Sequence, residues 1–236
     1  RVKYYLIAGG SNTLIADNGI SVALSLNKLK GISVKDNIIE CYAGCKLQSL
    51  VSLAKKCSLS GAEFLTGIPG TFGGAVFMNA GAFGMEIKDV LHSVTLIEDN
   101  RIVEYRPEEL NMQYRKGNIG ERTVISGKVK LYRDNQVKIC ALIKKYKEYR
   151  INNQPQESSL GSVFKRVNGL SAAIYIERTG LKGMKIGGAE LSAKHCNFII
   201  NKGGATSADY LKIVDTVQKA VGESGINLEL ENVLLL

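Results

Sequence analysis

Two spacings of apolar residues predict the elements of this chain. Apolar residues fall at every second position in 21–26, which is typical of a half-buried strand, whereas Leu47, Leu50, Val51 and Ala54 recur at helical spacing within 46–56. Similar patterns predict further helices at 137–149, 171–178 and 207–222, and strands at 4–8, 38–42, 93–98, 101–105, 123–131, 197–201 and 228–236. Strands and helices are mixed without strict alternation, so we predict an α+β fold.

The pattern of the sequence changes near Arg133 and Asn135, where strand-like segments are followed by a basic helix and a polar stretch at 152–159. We therefore predict one domain at 1–134 and a second domain at 135–236. The polar stretch would form the loop that enters the second domain.

A glycine-rich stretch at 67–84 carries six glycines in eighteen positions together with Phe, Met, Val and Ala, and almost no charge. Glycine is favoured where backbone takes positive φ or lies against a ligand. We expect buried, irregular backbone here rather than an ordinary helix or strand. A large flat ligand or a phosphate-bearing cofactor would fit such a segment.

A second glycine turn, Gly9-Gly10-Ser11-Asn12, follows the first predicted strand. Free N–H groups and two polar side chains suit a pyrophosphate, although an ordinary β-turn with an Asx cap explains the same letters. Neither a P-loop lysine nor a glycine fingerprint opening a helix follows, which disfavours a P-loop kinase and a nicotinamide-binding fold of the usual kind.

Charge and cysteine content narrow the class of protein. The formal charge is +9, from 31 basic and 22 acidic residues, but the basic residues are dispersed, so an anionic small molecule is a better partner than nucleic acid. The five cysteines lack metal-ligand spacing, and we expect free buried thiols and a cytoplasmic protein without a metal site. No apolar run approaches the roughly 18 residues of a membrane span, so no membrane partner is predicted.

Three polar residues outside the glycine segments are candidates for chemistry, each with a plainer alternative. Arg115 lies in a loop and could bind a carboxylate or phosphate, or be a solvated charge. Ser162 is not in a nucleophile elbow and could be only a turn residue. Glu231 follows Glu229 by two positions, which is also the pattern of a solvated strand face. His195 is expected to have a structural hydrogen-bonding role.

Many short motifs occur together in a characteristic order. They are Ala8-Gly9-Gly10-Ser11-Asn12, Gly67-Ile68-Pro69-Gly70-Thr71-Phe72-Gly73-Gly74-Ala75, Met78-Asn79-Ala80-Gly81-Ala82, Tyr114-Arg115, Gly161-Ser162-Val163-Phe164-Lys165-Arg166, Gly180-Leu181-Lys182-Gly183, Gly187-Gly188-Ala189, His195-Cys196-Asn197-Phe198 and Leu228-Glu229-Leu230-Glu231. Through these motifs the chain resembles the bacterial UDP-N-acetylenolpyruvoylglucosamine reductases of peptidoglycan precursor synthesis, and the join between Tyr114-Arg115 and Gln154-Pro155 resembles the shorter type II form.

The resemblance implies an FAD-binding module of the vanillyl-alcohol-oxidase type followed by an α+β substrate-binding domain. It implies that NADPH reduces the flavin, whose N5 delivers hydride to C3 of the enolpyruvyl group, giving UDP-N-acetylmuramate. Ser162 would protonate C2, while Arg115 and Glu231 would stabilise the developing negative charge. Because an ionised carboxylate is a poor neighbour for an enolate, Glu231 would be protonated or bridged through Arg115.

The resemblance also implies two sets of binding residues. The cofactor set is Gly9, Gly10, Ser11, Asn12, Gly67, Ile68, Pro69, Gly70, Gly73, Gly74, Asn79 and Gly81. The set for the substrate carboxylate and UDP diphosphate is Tyr114, Arg150, Lys182 and Asn197. The small UDP-sugar would be the only partner, and the protein is expected to be a monomer.

The chain departs from the family pattern at Ala8, where a third glycine is usual, and at Gly117, where a serine is usual. Family members also carry further N-terminal residues, so we expect an N-terminally truncated form. Two alternatives therefore stay open: a fragment that is inactive or binds flavin poorly, and a related flavin oxidase acting on an alcohol or hydroxy acid. The order of Arg115, Ser162 and Glu231 argues against the oxidase.

Overall fold

The computed structural model describes residues 4–236 as a mixture of helices and short strands. The helices are α1 (Leu47–Lys56), α2 (Phe72–Met78), α3 (Pro107–Leu110), α4 (Gln136–Asn153), α5 (Ala172–Glu177) and α6 (Ser207–Gly222), with 3₁₀ turns at Glu63–Leu65 and Ile87–Asp89. Within residues 4–236, no helix combines the length and apolar character that a membrane crossing requires.

Strands account for most of the remaining regular structure. In the first half of the chain they are β1 (Tyr5–Ile7), β2 (Thr13–Ile15), β3 (Ala23–Ser25), β4 (Ile32–Lys35), β5 (Ile38–Tyr42), β6 (Leu59–Ser60), β7 (Gly81–Ala82), β8 (Met85–Glu86), β9 (Leu91–Glu98) and β10 (Arg101–Tyr105). In the second half they are β11 (Thr123–Lys130), β12 (Tyr132–Arg133), β13 (Ser159–Ser162), β14 (Lys185–Ile186), β15 (Ala189–Leu191), β16 (Phe198–Asn201) and β17 (Val233–Leu235).

The chain divides into two compact units, and the second is discontinuous in sequence. The first unit contains 4–9 and Ala23–Arg150, and the second contains Gly10–Val22 and Ile151–Leu236. The predicted boundary after residue 134 therefore differs from the division into compact units, because α4 packs Ile139, Ile143 and Tyr146 on the first core. As a functional division it stays a prediction.

The first unit is built around a five-stranded antiparallel sheet in the order β10-β9-β11-β5-β4. Helix α1 buries the apolar stripe predicted from its spacing, and α2 packs on β5 and β11. Smaller pairs are the parallel β1–β3, the antiparallel β6–β12 and the hairpin β7–β8. The glycine-rich segment thus leads from the helix layer into a hairpin.

The second unit packs α6 against a four-stranded antiparallel sheet in the order β13-β16-β15-β14. Thr206 and Asp209 form a capping box at the start of α6, and its buried stripe consists of Tyr210, Ile213, Val214, Val217 and Val221. Segment 10–22 joins this unit through the parallel pair β2–β17 and through Asp17, whose carboxylate accepts hydrogen bonds from the backbone N–H and the hydroxyl of Ser207.

Most periodic segments form the predicted element. The helices at 46–56, 137–149, 171–178 and 207–222 are confirmed with shifts of a few residues, as are most strands. The strand in 21–26 is not half-buried as predicted, because Ala23–Ser25 is exposed along its length. The closing strand predicted at 228–236 is shorter, since only Val233–Leu235 is a strand. All five cysteines are free as predicted, but Cys57 and Cys140 are only partly buried.

One prediction about the glycine-rich stretch is wrong, because Phe72–Met78 is a helix. Thr71 caps it by accepting a hydrogen bond from Gly74 N, and Gly73 allows it to lie against the neighbouring backbone, where a Cβ would stand 2.9 Å from Ala43 Cβ. Close tertiary packing here outweighs the low helix propensity of glycine. The stretch is also not buried throughout, since Gly67 and Pro69 are exposed.

Candidate active site

The two glycine segments meet in the first unit. A Cβ added at Gly9 would stand 2.9 Å from Gly70 Cα and 3.6 Å from Thr71 N, so this contact is open only to glycine. On the other side of the loop, Leu47 N donates to Gly70 O and Phe72 N donates to Cys45 O. The loop 67–70 is therefore fixed against Gly9 and the start of α1 while part of its backbone stays accessible.

The same loop begins at an unsatisfied hydroxyl. Thr66 is 3% exposed, and its Oγ1 has no hydrogen-bond partner among the described residues. Burying an unpaired hydroxyl costs about 1–3 kcal/mol, which a polar group of a ligand would offset. Gly67 and Gly70 then take positive φ, at 73° and 122°. An unpaired hydroxyl beside accessible, closely packed glycine backbone fits a large cofactor with phosphate groups, as the resemblance to FAD enzymes implies.

The first glycine turn does not lie wholly in one unit. Gly9 belongs to the first unit, whereas Gly10, Ser11 and Asn12 belong to the second. The Asn12 amide is engaged there, because Nδ2 donates to Glu231 O and Oδ1 accepts from Asn232 Nδ2. The predicted cofactor contact of Asn12 stays a prediction, but its side chain connects the start of β2 to the segment that carries Glu231 and Asn232.

Asn79 organises the loop that carries Arg115. It is fully buried at the left-handed C-cap of α2, and Nδ2 donates to Glu86 Oε2 at 2.9 Å and to Gln113 O at 2.8 Å. Its Oδ1 accepts from Lys88 N. With its amide engaged in this way, Asn79 favours a positioning role over direct cofactor contact, although the predicted contact stays a prediction.

Arg115 stands in a strained turn. Gln113 and Lys116 exchange two backbone hydrogen bonds around it, and its φ is 56°, which costs a side chain of this type about 1–2 kcal/mol. Nη2 donates to Gly81 O at 3.1 Å, and the guanidinium lies 4.8 Å from the Tyr114 ring centroid. These contacts fix the orientation of the half-buried Arg115 guanidinium.

Gly117 explains how this loop reaches α2. Its N–H donates to Phe77 O, and a Cβ at this position would stand 2.2 Å from Val76 O. The serine that the family usually carries here would therefore need a shift of the loop in this chain. The departure noted in the sequence has a structural effect next to Arg115.

Arg150 is a second cation of the same unit. It lies near the end of α4, with its guanidinium 5.5 Å from the Phe83 ring centroid. Burial, and then the positive charge of Arg115, lower the pKa of Arg150. Arginine stays charged in proteins, so two nearby guanidiniums favour an anionic ligand such as a carboxylate or a diphosphate.

Ser162 ends β13 of the second unit beside a β-bulge. The pairing of β13 with β16 shifts by one residue between Ser159 and Ser162, and Gly161 takes a φ of 77° at that shift. A bulge of this kind re-aims the next side chain and is frequent beside active sites. Ser162 is half-buried.

The backbone around Ser162 and Glu231 is held by a buried amide. Asn232 donates through Nδ2 to Asn12 Oδ1 at 2.7 Å, to Leu160 O at 3.1 Å and to Ser162 O at 3.2 Å, while its Oδ1 accepts from the Tyr210 hydroxyl. Glu231 N donates to Val163 O. The structure thus brings the predicted Ser162 and Glu231 onto adjacent paired segments of one unit.

Glu229 is separated from this arrangement. Its side chain is exposed and forms an ion pair with Lys165. Of the two glutamates that alternate in sequence, Glu229 has the environment of a solvated surface residue and Glu231 is half-buried. The sequence pattern alone did not separate them.

The two predicted substrate residues of the second unit differ in availability. Lys182 is exposed and paired with Glu177 at 2.9 Å, a surface ion pair of little net value that a phosphate can replace. Asn197 is buried, and its amide accepts from Phe164 N and donates to Phe164 O. Asn197 therefore favours a positioning role, and its predicted contact with substrate stays a prediction.

His195 has the structural role expected of it. Nδ1 accepts from Asn197 N at 3.3 Å, and the ring packs edge-on against Phe198. Burial lowers the pKa of His195, so the neutral ring is favoured.

Three residues of these surroundings were missed by sequence reasoning. Thr66 adjoins a glycine segment, Phe83 precedes Gly84 in a hairpin, and Asn232 stands where the alternation of Leu228 and Leu230 predicts an apolar residue. For Asn232 a signal existed, since a polar residue within an apolar strand pattern needs buried partners. For Thr66 and Phe83 the neighbouring glycines were visible, but the contacts are long-range.

Comparison with known proteins covers both parts of the chain. Residues 1–103 match the family model described as "FAD binding domain", and residues 154–235 match "UDP-N-acetylenolpyruvoylglucosamine reductase, C-terminal domain". The UDP-N-acetylenolpyruvoylglucosamine reductase of Syntrophomonas wolfei is 44% identical over 98% of this chain and 79% of its own length. That of Clostridium perfringens is 41% identical over 94% of this chain and 75% of its own length.

A solved structure agrees with the predicted fold. The crystal structure of UDP-N-acetylenolpyruvylglucosamine reductase from Thermus caldophilus aligns with a TM-score of 0.90 and 35% identity, over 99% of this chain and 85% of that chain. The fold is α+β as predicted, and the two family models place a match to an FAD-binding domain before a match to the C-terminal domain of the reductases. The vanillyl-alcohol-oxidase type of the module stays a prediction. This chain belongs to the UDP-N-acetylenolpyruvoylglucosamine reductase family.

Proposed function

We propose that this chain is an FAD-dependent oxidoreductase that reduces UDP-N-acetylenolpyruvoylglucosamine to UDP-N-acetylmuramate in peptidoglycan precursor synthesis. The observation that carries the proposal is 44% identity to a reductase of this name over 98% of the chain. The geometry around Arg115 and Ser162 gives that activity a physical basis.

FAD is the cofactor of the reaction, and NADPH is its reductant. When bound, FAD supplies the hydride that adds to C3 of the enolpyruvyl double bond. Gly9, Thr66, Gly67 and Gly70 would hold the cofactor through accessible backbone and one hydroxyl. The other predicted cofactor residues, from Ile68 and Pro69 to Gly74 and Gly81, continue the same segments.

Ser162 is the proposed proton donor to C2. Addition of hydride at C3 leaves an electron pair at C2, and the Ser162 hydroxyl gives its proton to that carbon and recovers one from solvent. The bulge at Gly161 and the hydrogen bond from Asn232 to Ser162 O fix the backbone from which the hydroxyl projects. A positioned donor is needed because an aliphatic hydroxyl is a weak acid.

Arg115 is proposed to bind the carboxylate conjugated with C2. As hydride adds, negative charge develops on that carboxylate, and a fixed cation lowers the barrier because its orientation precedes the reaction. The turn strain at Arg115 and the contact with Gly81 O are consistent with such preorganisation. Glu231, in its protonated form, would add a hydrogen-bond donor for the same charge.

Tyr114, Arg150, Lys182 and Asn197 are the proposed contacts for the carboxylate and the UDP diphosphate. The cations among them also account for part of the net charge of +9. We further propose a cytoplasmic monomer with an FAD-binding module at 1–134 and a C-terminal substrate-binding domain at 135–236.

The test separates the two half-reactions under anaerobic conditions. NADPH should remove the flavin absorbance of the purified FAD-loaded chain, and UDP-N-acetylenolpyruvoylglucosamine should restore it. Ser162→Ala should leave reduction by NADPH intact and slow reoxidation by about 10²–10⁴-fold, the usual contribution of a general acid. Ser159→Ala, at the other end of β13, is the matched control and should behave as wild type.

Two results would contradict the proposal. A chain that takes up no FAD, or whose reduced flavin is not reoxidised by the UDP-sugar, is not this reductase. Equal loss of both half-reactions in Ser162→Ala would contradict its role as proton donor.

A further inference from the structure

The hairpin between β7 and β8 turns through an unfavourable residue. Gly81 pairs with Glu86 and Ala82 pairs with Met85, so Phe83 and Gly84 form a two-residue turn with φ of 55° and 85°. Positive φ at both central positions defines a type I′ turn, in which Asn, Asp or Gly is preferred at the first position. Phe83 is therefore retained against the local backbone preference, which points to a role for its ring.

That ring makes three contacts with α4. It stacks on Tyr146 with centroids 3.8 Å apart and planes at 8°, and it meets Tyr149 edge-on at 5.5 Å. The Arg150 guanidinium lies 5.5 Å from its centroid. Aromatic pairs and cation–π contacts of this geometry are favourable beyond the apolar area that they bury.

The same hairpin also contacts the other guanidinium of the unit. Gly81, two residues before Phe83, accepts a hydrogen bond from Arg115 Nη2. One short hairpin thus touches Arg115 through its backbone and Arg150 through an aromatic face. Since like charges repel when solvent is limited, holding two guanidiniums near each other needs fixed contacts of this kind.

We propose that Phe83 is a positioning residue, which holds Arg150 and the Gly81–Arg115 contact in the arrangement that binds the anionic group of the UDP-sugar. The inference rests on the proposed function for the identity of that ligand. Phe83 itself need not touch substrate or cofactor. Its ring ties the hairpin to α4, and the hairpin sets the two cations.

The experiment removes the ring without straining the turn. Phe83→Asn suits the left-handed conformation, whereas Phe83→Tyr keeps the ring and is the conservative control. Binding of UDP-N-acetylenolpyruvoylglucosamine and of UDP to the oxidised, FAD-loaded chain is measured by calorimetry. Reduction by NADPH and thermal unfolding are measured on the same preparations.

We expect Phe83→Asn to weaken binding of the UDP-sugar about tenfold, as loss of one well-placed aromatic and cation–π set would. Flavin reduction should stay at its wild-type value, the melting temperature should fall by a few degrees because the stacking contacts are lost, and Phe83→Tyr should bind as wild type does. If Phe83→Asn also binds UDP more weakly, the two cations bind the diphosphate. If only the binding of the full substrate is weakened, they bind its carboxylate.

Unchanged binding of the UDP-sugar in Phe83→Asn would overturn the inference. So would a loss of FAD binding that accompanies the loss of UDP-sugar binding, because it would mark the ring as merely structural. A wild-type chain that binds the UDP-sugar without being reoxidised by it contradicts the proposed function but leaves the binding comparison, and hence the role of Phe83, intact.

Discussion

Replacing Asn232 by alanine should destabilise the second unit and disturb Ser162 together. The side chain is 7% exposed and makes four hydrogen bonds, of which one is from Tyr210 and one is to the backbone of Ser162. In Asn232→Ala the hydroxyl of Tyr210, itself 6% exposed, loses its acceptor. Water cannot readily replace that acceptor at such a buried position.

The size of the effect follows from these contacts. An unsatisfied buried hydroxyl costs about 1–3 kcal/mol, and the lost bond to Asn12 contributes about 1 kcal/mol more. The two backbone carbonyls that lose this donor contribute less, because Leu160 and Ser162 are only half-buried. We therefore expect a loss of about 3 kcal/mol, or about 6–12 °C in melting temperature for a chain of this length.

Urea unfolding of the chain saturated with FAD measures this loss. Tyr210→Phe is the matched variant, since it removes the donor and keeps the ring, and the double variant completes a mutant cycle. We expect a coupling energy of about 1–2 kcal/mol between Asn232 and Tyr210. Asn232→Ala should also slow reoxidation by the UDP-sugar more than Tyr210→Phe does, because only Asn232 contacts the Ser162 backbone.

The reasoning is refuted if Asn232→Ala costs less than about 1 kcal/mol, the net value of a single ordinary hydrogen bond. A coupling energy near zero would refute it as well, since the hydroxyl and the amide would then be independent.

Two further predictions concern the first unit. Gly9→Ala should lower FAD affinity at least tenfold in a flavin-release titration, because the new Cβ would stand 2.9 Å from Gly70 Cα. The control is Gly222→Ala, in open space on α6, which should bind FAD as wild type does and raise the free energy of unfolding by about 0.5–1 kcal/mol. Equal FAD affinities in the two variants would argue against the contact. Burial, and then Cys45, raise the pKa of the Cys41 thiol, so its contribution to stability is complete below the unfolded pKa near 9 and is lost as pH rises further. The free energy of unfolding of Cys41→Ala should therefore fall less steeply above pH 9 than that of the wild type, by up to about 1.4 kcal/mol per pH unit. If urea unfolding at several pH values gives the same slope for both proteins, the prediction is wrong.

The most regular segments were predictable because one face of each is buried in the core of its unit. The buried stripes of α1 and α6 are examples, and their spacing alone was sufficient. Helix α2 was not predictable in this way, since its glycines are unfavourable locally. What stabilises it is contact with Ala43, about thirty residues earlier, and no local pattern reports such a contact.

For the candidate site as well, local features were predictable from the sequence and long-range contacts were not. Glycine turns and the order of motifs indicated Gly9, Gly70, Arg115 and Ser162 directly. Whether a side chain is available to a ligand was not visible, because it depends on distant partners. The amides of Asn12, Asn79 and Asn197 are engaged with backbone or side chains from other segments, and a sequence motif does not distinguish an engaged amide from an available one.

The discontinuity of the second unit has a consequence for biosynthesis. Strand β2 is made on the ribosome long before its partner β17, which lies at the other end of the described chain. Because domains fold as units during synthesis, the first unit can close while segment 10–22 still waits for its sheet partner. Pairing across so long a stretch of chain is slow, because the entropic cost of closing the loop comes before the contacts that offset it.

It follows that the second unit cannot be excised as a C-terminal fragment. A chain beginning at residue 151 would lack β2, the Asp17 cap of α6 and the Asn12 partner of Asn232. Complementation offers a way to restore them: a synthetic peptide of residues 10–22 added to such a fragment would supply the missing strand in trans.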